Sequence, residues 1–317
     1  MNYFKTISFF LILCIHLLHG MEENLAELAY QCNAQQLEKV ITPESLIQCD
    51  KHGISLFMHA VSGVFEHKRF DDFEKTILLF KKHNFNCNAP LNSKTEFTHL
   101  CDLANLSIKF THLCYLANLS IDFYTLIPLK IVLKHGANPF ENDLSVFEQM
   151  KVLSKDIPYA SCIADEMALY ANNLHDAAKG VCVPAMSKFV NNNSVNAIDN
   201  KGATPLYYVI QYAEYANKKN LAAAIKLLKD HGTNVNDSIS VLKEIPGSTY
   251  MHYATLVSCK NKNLDLIEAM LENGGSPLAG IGNFPIAPIH FAEFMALKKP
   301  FYKKIFELYS NHLKNNK

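Results

Sequence analysis

The stretch DNKGATPLYYVIQYAEYANKKNLAAAIKLLKDHGTNVN, Asp199 to Asn236, contains a complete helix pair with its start and stop signals. Gly202 can take the positive φ of a tight turn without steric cost. Thr204 stands where a hydroxyl can cap a helix, Pro205 fills the first helical position where its missing N–H is harmless, and Leu206 opens an apolar face. A second helix is expected from Leu221, because Leu221, Ile225 and Leu228 fall four and three apart on one side. His231 and Gly232 then supply a glycine stop, and Asn234 and Asn236 lead into the next turn.

Fragments of the same pattern recur along the chain. LHDAAKG at 174–180 precedes MSKFVNNNSVN, STYMHYA at 248–254 precedes NLDLIEAMLENGGSPL, and APIHFAEF at 287–294 precedes YKKIFELY. Towards the N-terminus, DKHGISLFMHA at 50–60 leads to ILLFKKHNFNCN, IVLKHGANPF at 131–140 closes another unit, and LAELAYQCNAQQLEKVI at 25–41 has the outline of a terminal unit. The weakest region is 142–173, where SVFEQM and IADEMALY suggest a helix pair. One helix pair cannot bury its apolar face alone, so a series at this spacing is expected to stack and share a core.

The order Asp, Gly three residues on, Thr-Pro-Leu, an apolar helix, a Leu-rich helix and a closing Gly resembles the ankyrin repeat. Tyr207 departs from the family's His, and Thr204 to Gly232 is longer than its usual unit. The resemblance implies an all-α fold, an ankyrin-like solenoid of stacked helix-turn-helix repeats joined by short β-hairpin-like turns. About eight units are expected, at 22–49, 50–88, 89–140, 141–173, 174–198, 199–236, 237–278 and 279–317. It also implies that turn tips and first-helix surfaces bind a protein partner. By position those residues are Lys51, His52, Ile54, Asn200, Lys201, Ala203, Gln211, Tyr212, Asn283 and Phe284. His175, His252 and His290 fall on the family's first-helix His, whose ring ties adjacent loops, while His83, His135 and His231 fall near the ends of second helices. Tyr208, Tyr212 and Tyr215 follow one helical face and are read chiefly as packing groups.

Within 89–140, thirteen residues occur twice, FTHLCDLANLSIK at 97–109 and FTHLCYLANLSID at 110–122, differing only at Asp102/Tyr115 and Lys109/Asp122. Thirteen residues at about 100° each make three turns plus about 220°, so one continuous helix would point the two apolar faces apart. A broken insertion is expected, one copy joining the stack. His99, Cys101, His112 and Cys114 are residue types that ligate zinc. Leu, Ala and Asn are duplicated as faithfully as His and Cys, which favours a tandem copying event over a metal site.

The first twenty residues, MNYFKTISFFLILCIHLLHG, set Lys5 before an uncharged run from Thr6 to Leu18, too short to span a bilayer. A cleavable secretory signal over 1–20 is expected, with an exported, secreted or periplasmic chain following it. Removing Cys14 leaves Cys32, Cys49, Cys87, Cys101, Cys114, Cys162, Cys182 and Cys259, widely spaced and without a C-x-x-C pair. Buried free thiols are favoured over a disulfide framework.

The 317 residues carry no formal net charge, 49% of them are hydrophobic, and Arg69 is the only arginine. That composition describes a globular chain and argues against nucleic acid as a partner. Neither hydrolase, zinc-protease, P-loop nor calcium-loop motifs occur, so no cofactor, metal or catalytic residue is assigned. The expected function is non-enzymatic protein–protein interaction by an exported chain. An export signal, A/T-biased composition and ankyrin-like repeats together resemble secreted proteins of host-associated bacteria, which implies a host protein as partner. The alternatives are a periplasmic or envelope scaffold and, less favoured, a metal-binding protein or an enzyme on a helical scaffold.

Overall fold

In a computed structural model the chain is all-α. The structure describes residues 23–47, 50, 54–85, 112–140, 145–239, 248–280 and 286–316. The expected signal segment 1–20, the first copy of the duplication at 97–109, and Lys51, His52, Asn283 and Phe284 lie outside them. So do His99 and Cys101, and the side chains of His112 and Cys114. Among the described residues no helix is long and apolar enough to cross a membrane. Cys32, Cys162, Cys182 and Cys259 are in the reduced form, none of them in a disulfide.

The chain divides into two compact units, Met1–Tyr170 and Ala171–Lys317. The first contains α1 (Glu23–Tyr30), α2 (Ala34–Leu37), α3 (Pro43–Ile47), α4 (Leu56–His67), α5 (Phe70–Lys82), α6 (His112–Phe123), α7 (Ile127–Lys134), α8 (Val146–Leu153) and α9 (Pro158–Ala168). Here α1 packs on α4 and α4 on α6, while α2 packs on α5 and α5 on α7. The second copy of the duplication thus forms α6, packed on α4 and α7. The weakly patterned 142–173 yields the helix pair α8 and α9.

The second unit contains α10 (Leu174–Lys179), α11 (Val183–Phe189), α12 (Pro205–Gln211), α13 (Lys218–Asp230), α14 (Tyr250–Asn261), α15 (Asp265–Glu272), α16 (Pro288–Ala296) and α17 (Phe301–Asn315). Its first helices pack in the series α10, α12, α14, α16, and its second helices in the series α11, α13, α15. The apolar register explains this arrangement. Leu174 and Ala177, Leu206 and Val209, Met251 and Ala254, Ile289 and Ala292 repeat one spacing and are all buried. Each large aliphatic of that seam contributes about 2 kcal/mol of transfer free energy. The alanines let neighbouring helices approach closely.

Local signals fix the helix ends. Thr204 accepts from the Tyr207 N–H and Ser55 from the Met58 N–H, each at 3.3 Å. Ser145 and Glu148 form a reciprocal capping box. Four second helices end in one way: a His or Asn C-cap is followed by a residue of positive φ, namely Asn84 (+61°), Gly136 (+101°), Gly232 (+104°) and Gly274 (+90°). The next N–H then reaches back to a carbonyl five residues earlier, as Thr233 does to Leu228 at 3.1 Å.

Two expectations for the decisive stretch change. The second helix starts at Lys218 rather than Leu221, because the Asn217 side chain accepts from the Asn220 N–H at 2.9 Å and caps an earlier turn. The extra length of this unit is a 3₁₀ turn, Ala213–Tyr215, after α12.

Candidate functional site

The expected binding residues separate by burial. Asn200, Lys201 and Gln211 are exposed, and Tyr212 is partly exposed. Ala203 is buried, at 1% exposure, and Ile54, at 9%, is buried as well. Both are bound through the backbone to an aspartate four residues earlier. The Ala203 N–H donates to Asp199 Oδ1 at 2.9 Å and its carbonyl accepts the Asp199 N–H at 3.0 Å. Ile54 makes the same two bonds to Asp50, each at 2.9 Å. This closure turns the side chain at that position inward, so Ala203 and Ile54 are core residues and offer no contact atoms to a partner.

Asn200 and Lys201 lie in the turn before α12, while Gln211 and Tyr212 lie at its far end, about 10 Å along the helix axis. Between them, Tyr207 stacks on Tyr253 of α14 with ring centroids 4.9 Å apart and parallel planes. Alignment on the N-caps Thr204 and Thr249 puts Gln211 level with Leu256. Tyr207, Tyr253 and Leu256 are all half-exposed. The face therefore runs across two neighbouring helix pairs, with an aromatic centre and polar margins. Tyr253 and Leu256 were absent from the expected set because that set took no residue from the unit at 237–278. Cap alignment finds Leu256, level with Gln211, but sets Tyr253 level with the buried Tyr208, so the stack itself is visible only as a tertiary contact.

Behind this face sits a set of titratable groups. The Tyr208 hydroxyl donates to Asp199 Oδ2 at 2.6 Å, the Lys179 ammonium lies 5.1 Å from the Tyr208 ring centre and bonds Asp176 at 3.0 Å, and the His175 ring stands edge-on to Tyr208 at 6.2 Å. Burial alone would raise the Asp199 pKa, but donors from Tyr208, Ala203 and Lys201 hold it below the usual carboxylate value. Burial, and then Asp199, push Tyr208 up. Every one of these groups is engaged in holding a turn or a helix end.

The histidines behave likewise. His175 Nε2 donates to the Ala197 carbonyl at 2.9 Å and His252 Nε2 to the Ile286 carbonyl at 2.8 Å, each tying a first helix to a later loop. His252 Nδ1 accepts from the Thr249 N–H at 3.1 Å, so its ring is fixed as the Nε2–H tautomer. His231 Nδ1 donates to the Leu227 carbonyl at 2.9 Å in the last turn of α13. His135 bonds Glu74 at 2.9 Å, beside the 2.7 Å Lys134–Glu74 ion pair.

The sequence matches no protein-family model and no curated protein sequence.

Proposed function

We propose that this chain is a non-catalytic protein-binding module, built as a degenerate ankyrin-like solenoid. The observation that carries this reading is the half-exposed Tyr207–Tyr253 stack shared by two neighbouring first helices, flanked by Gln211, Tyr212 and Leu256. Paired tyrosines on rigid elements offer a large contact area at low entropic cost, the chemistry of a protein-recognition surface. The same-kind stacking of helices in Ala171–Lys317, the positive-φ stops, and histidines that tie loops all favour the repeat reading. The structural engagement of those histidines also favours binding over catalysis.

The export signal expected at 1–20 makes the partner a protein outside the producing cell's cytoplasm, and a host protein is the reading we favour. The test is affinity capture with the purified chain, beside a Lys201→Ala, Gln211→Ala, Tyr212→Ala variant and a separate Tyr253→Ala variant. A protein retained by the native chain and lost by both variants supports the reading. If retention is unchanged in both, this face is not the binding surface.

A further inference from the structure

The first helices α12, α14 and α16 lie side by side, and their starts are joined. The Thr204 hydroxyl, which caps α12, bonds the Tyr250 hydroxyl at the start of α14 at 2.6 Å, and His252 in the first turn of α14 bonds the Ile286 carbonyl just before α16. Their far ends therefore share one edge of the unit, where each first helix turns into its second. The bond between Cys259, late in α14, and Tyr302, at the start of α17, belongs to this edge.

Lysine is concentrated there. The three junctions 216–220, 260–264 and 297–303 contain no acidic residue, and Lys219, Lys260, Lys262, Lys298, Lys299 and Lys303 are all exposed. None of these six enters an ion pair among the described residues, whereas Lys218 is held by Glu268 at 2.7 Å and Glu272 at 3.0 Å. Helix stability does not account for Lys219 and Lys303, which stand in the first turns of α13 and α17, where the helix dipole disfavours a cation. The neighbouring acids Glu214, Asp265 and Glu293 lie on the flanking helical turns, and Asp265 already accepts from the Asn263 amide at 3.2 Å.

The same edge carries an apolar tip. Leu297 is 86% exposed, more than any other large apolar side chain among the described residues, and it directly precedes Lys298 and Lys299. Phe294, 57% exposed, lies about one turn earlier, with the Lys298 ammonium 5.5 Å from its ring centre.

We propose that this edge docks on an anionic lipid surface, with the lysines over the headgroups and Leu297 in the interface below them. Two features select a bilayer over a soluble polyanion. Ammonium groups on flexible stems, spread over three turns, make a diffuse positive field rather than a seat for one anionic group. A polyanion has no place for the open leucine beside them, whereas a bilayer takes up cationic and apolar groups together. Packed helices lie about 8–10 Å apart, so the three junctions span roughly 20 Å and can meet one surface at once. This docking is independent of whether the Tyr207–Tyr253 surface binds a protein.

Flotation of the purified full chain with vesicles tests it, comparing phosphatidylcholine alone with phosphatidylcholine containing about 30 mol% phosphatidylserine. All proteins compared share one N-terminus, so its apolar run cannot account for a difference between them, and circular dichroism checks that each keeps its helix content. The native chain should prefer the anionic vesicles, and its partition should fall steeply as salt rises from about 0.1 to about 0.5 M. Lys260→Ala, Lys262→Ala, Lys298→Ala and Lys299→Ala combined should lower partition at least about tenfold, since each lysine near the surface is worth several-fold. Lys39→Ala with Lys81→Ala, which removes two exposed lysines of the other unit, should change it little. Leu297→Ser should lower it several-fold at every salt concentration. A native chain without preference for anionic vesicles overturns the proposal, as does a partition unchanged by the four lysine replacements or lowered equally by the Lys39 and Lys81 pair. Indifference to Leu297→Ser, with equally tight binding to polyglutamate, overturns it in favour of an acidic polypeptide.

Discussion

Tyr208 donates to the second carboxylate oxygen of Asp199, nine residues earlier, and His59 does the same to Asp50 across the same interval, at 2.6 and 3.3 Å. In each case the other oxygen holds the backbone N–H four residues on. Two turns far apart in the sequence are therefore closed by one device, in which an aspartate is shared between its own turn and the first helix that follows. A ring donor at the ninth position suffices, whether phenol or imidazole.

Tyr208→Phe should consequently lower stability by about 1.5–3 kcal/mol, the worth of a hydrogen bond to a charged acceptor. Asp199→Ala should cost more. It leaves the Ala203 N–H and the Tyr208 hydroxyl without an acceptor and releases the Lys201 N–H, which donates to Asp199 at 2.9 Å. Urea denaturation of the native chain and both variants checks the order. Equal losses would mean that the carboxylate serves the hydroxyl alone.

The helix pair at 199–236 was legible because its signals are local. A cap, a proline and a glycine act within one turn, and Thr204, Pro205 and Gly232 each perform the role their chemistry implies. Ala203 and Ile54 were misplaced for the complementary reason. Their inward direction follows from two backbone bonds to an aspartate, a closure that hydropathy at a single position does not register. The stack of Tyr207 on Tyr253 joins residues 46 apart, and no periodicity within one helix reports it. Cap alignment does not report it either, since it sets Tyr207 level with His252 and Tyr253 level with Tyr208.

The His252 ring gives a pH-dependent stability whose sign follows from its surroundings. Burial lowers its pKa below that of a free histidine, and it is held neutral, donating at Nε2 and accepting at Nδ1. The unfolded chain takes up a proton near pH 6.5, whereas the folded chain resists until lower pH. The stabilisation is complete above about pH 6.5 and is lost as pH falls through the folded value, at up to about 1.4 kcal/mol per pH unit. His252→Gln keeps a donor and an acceptor but cannot titrate. The difference in urea midpoint between native and variant chains should therefore shrink from pH 7.5 to pH 5. A constant difference would rule out a titrating His252.

Asp122, one of the two positions at which the copies differ, should behave in the opposite sense. Burial pushes its carboxyl up to about 6, and it sits in the last turn of α6, at the negative end of the helix dipole. A carboxyl whose folded pKa exceeds its unfolded value near 3.9 favours the folded state at low pH. That contribution is lost as pH rises from about 4 to about 6. Asp122→Asn should then raise stability at pH 7 by on the order of 1 kcal/mol, allowing for partial solvent access, and change little at pH 4. Thermal unfolding of the two chains at both pH values decides it. A variant less stable at pH 7 would show the carboxylate to be a net stabilising group.

Gly63 tests the packing of α1 on α4 by a substitution that helix propensity alone would favour. Alanine in a helix interior is better than glycine by about 1 kcal/mol. A Cβ at Gly63, however, would overlap the Tyr30 carbonyl and crowd the rest of that backbone. The obstacle is main chain, which cannot swing aside as a side chain can, so the two helices must separate. Separation would loosen the buried contacts of Leu28, Ala29 and Ala60, and the Tyr30 hydroxyl donates to Glu66 across the same joint. Overpacking of this kind costs about 1–3 kcal/mol or more, which outweighs the propensity gain, so Gly63→Ala should destabilise the chain. Its effect should appear in hydrogen exchange as lost protection in α1 before the rest of the unit. A stabilised variant would mean that α1 is free to move away from α4 at little expense.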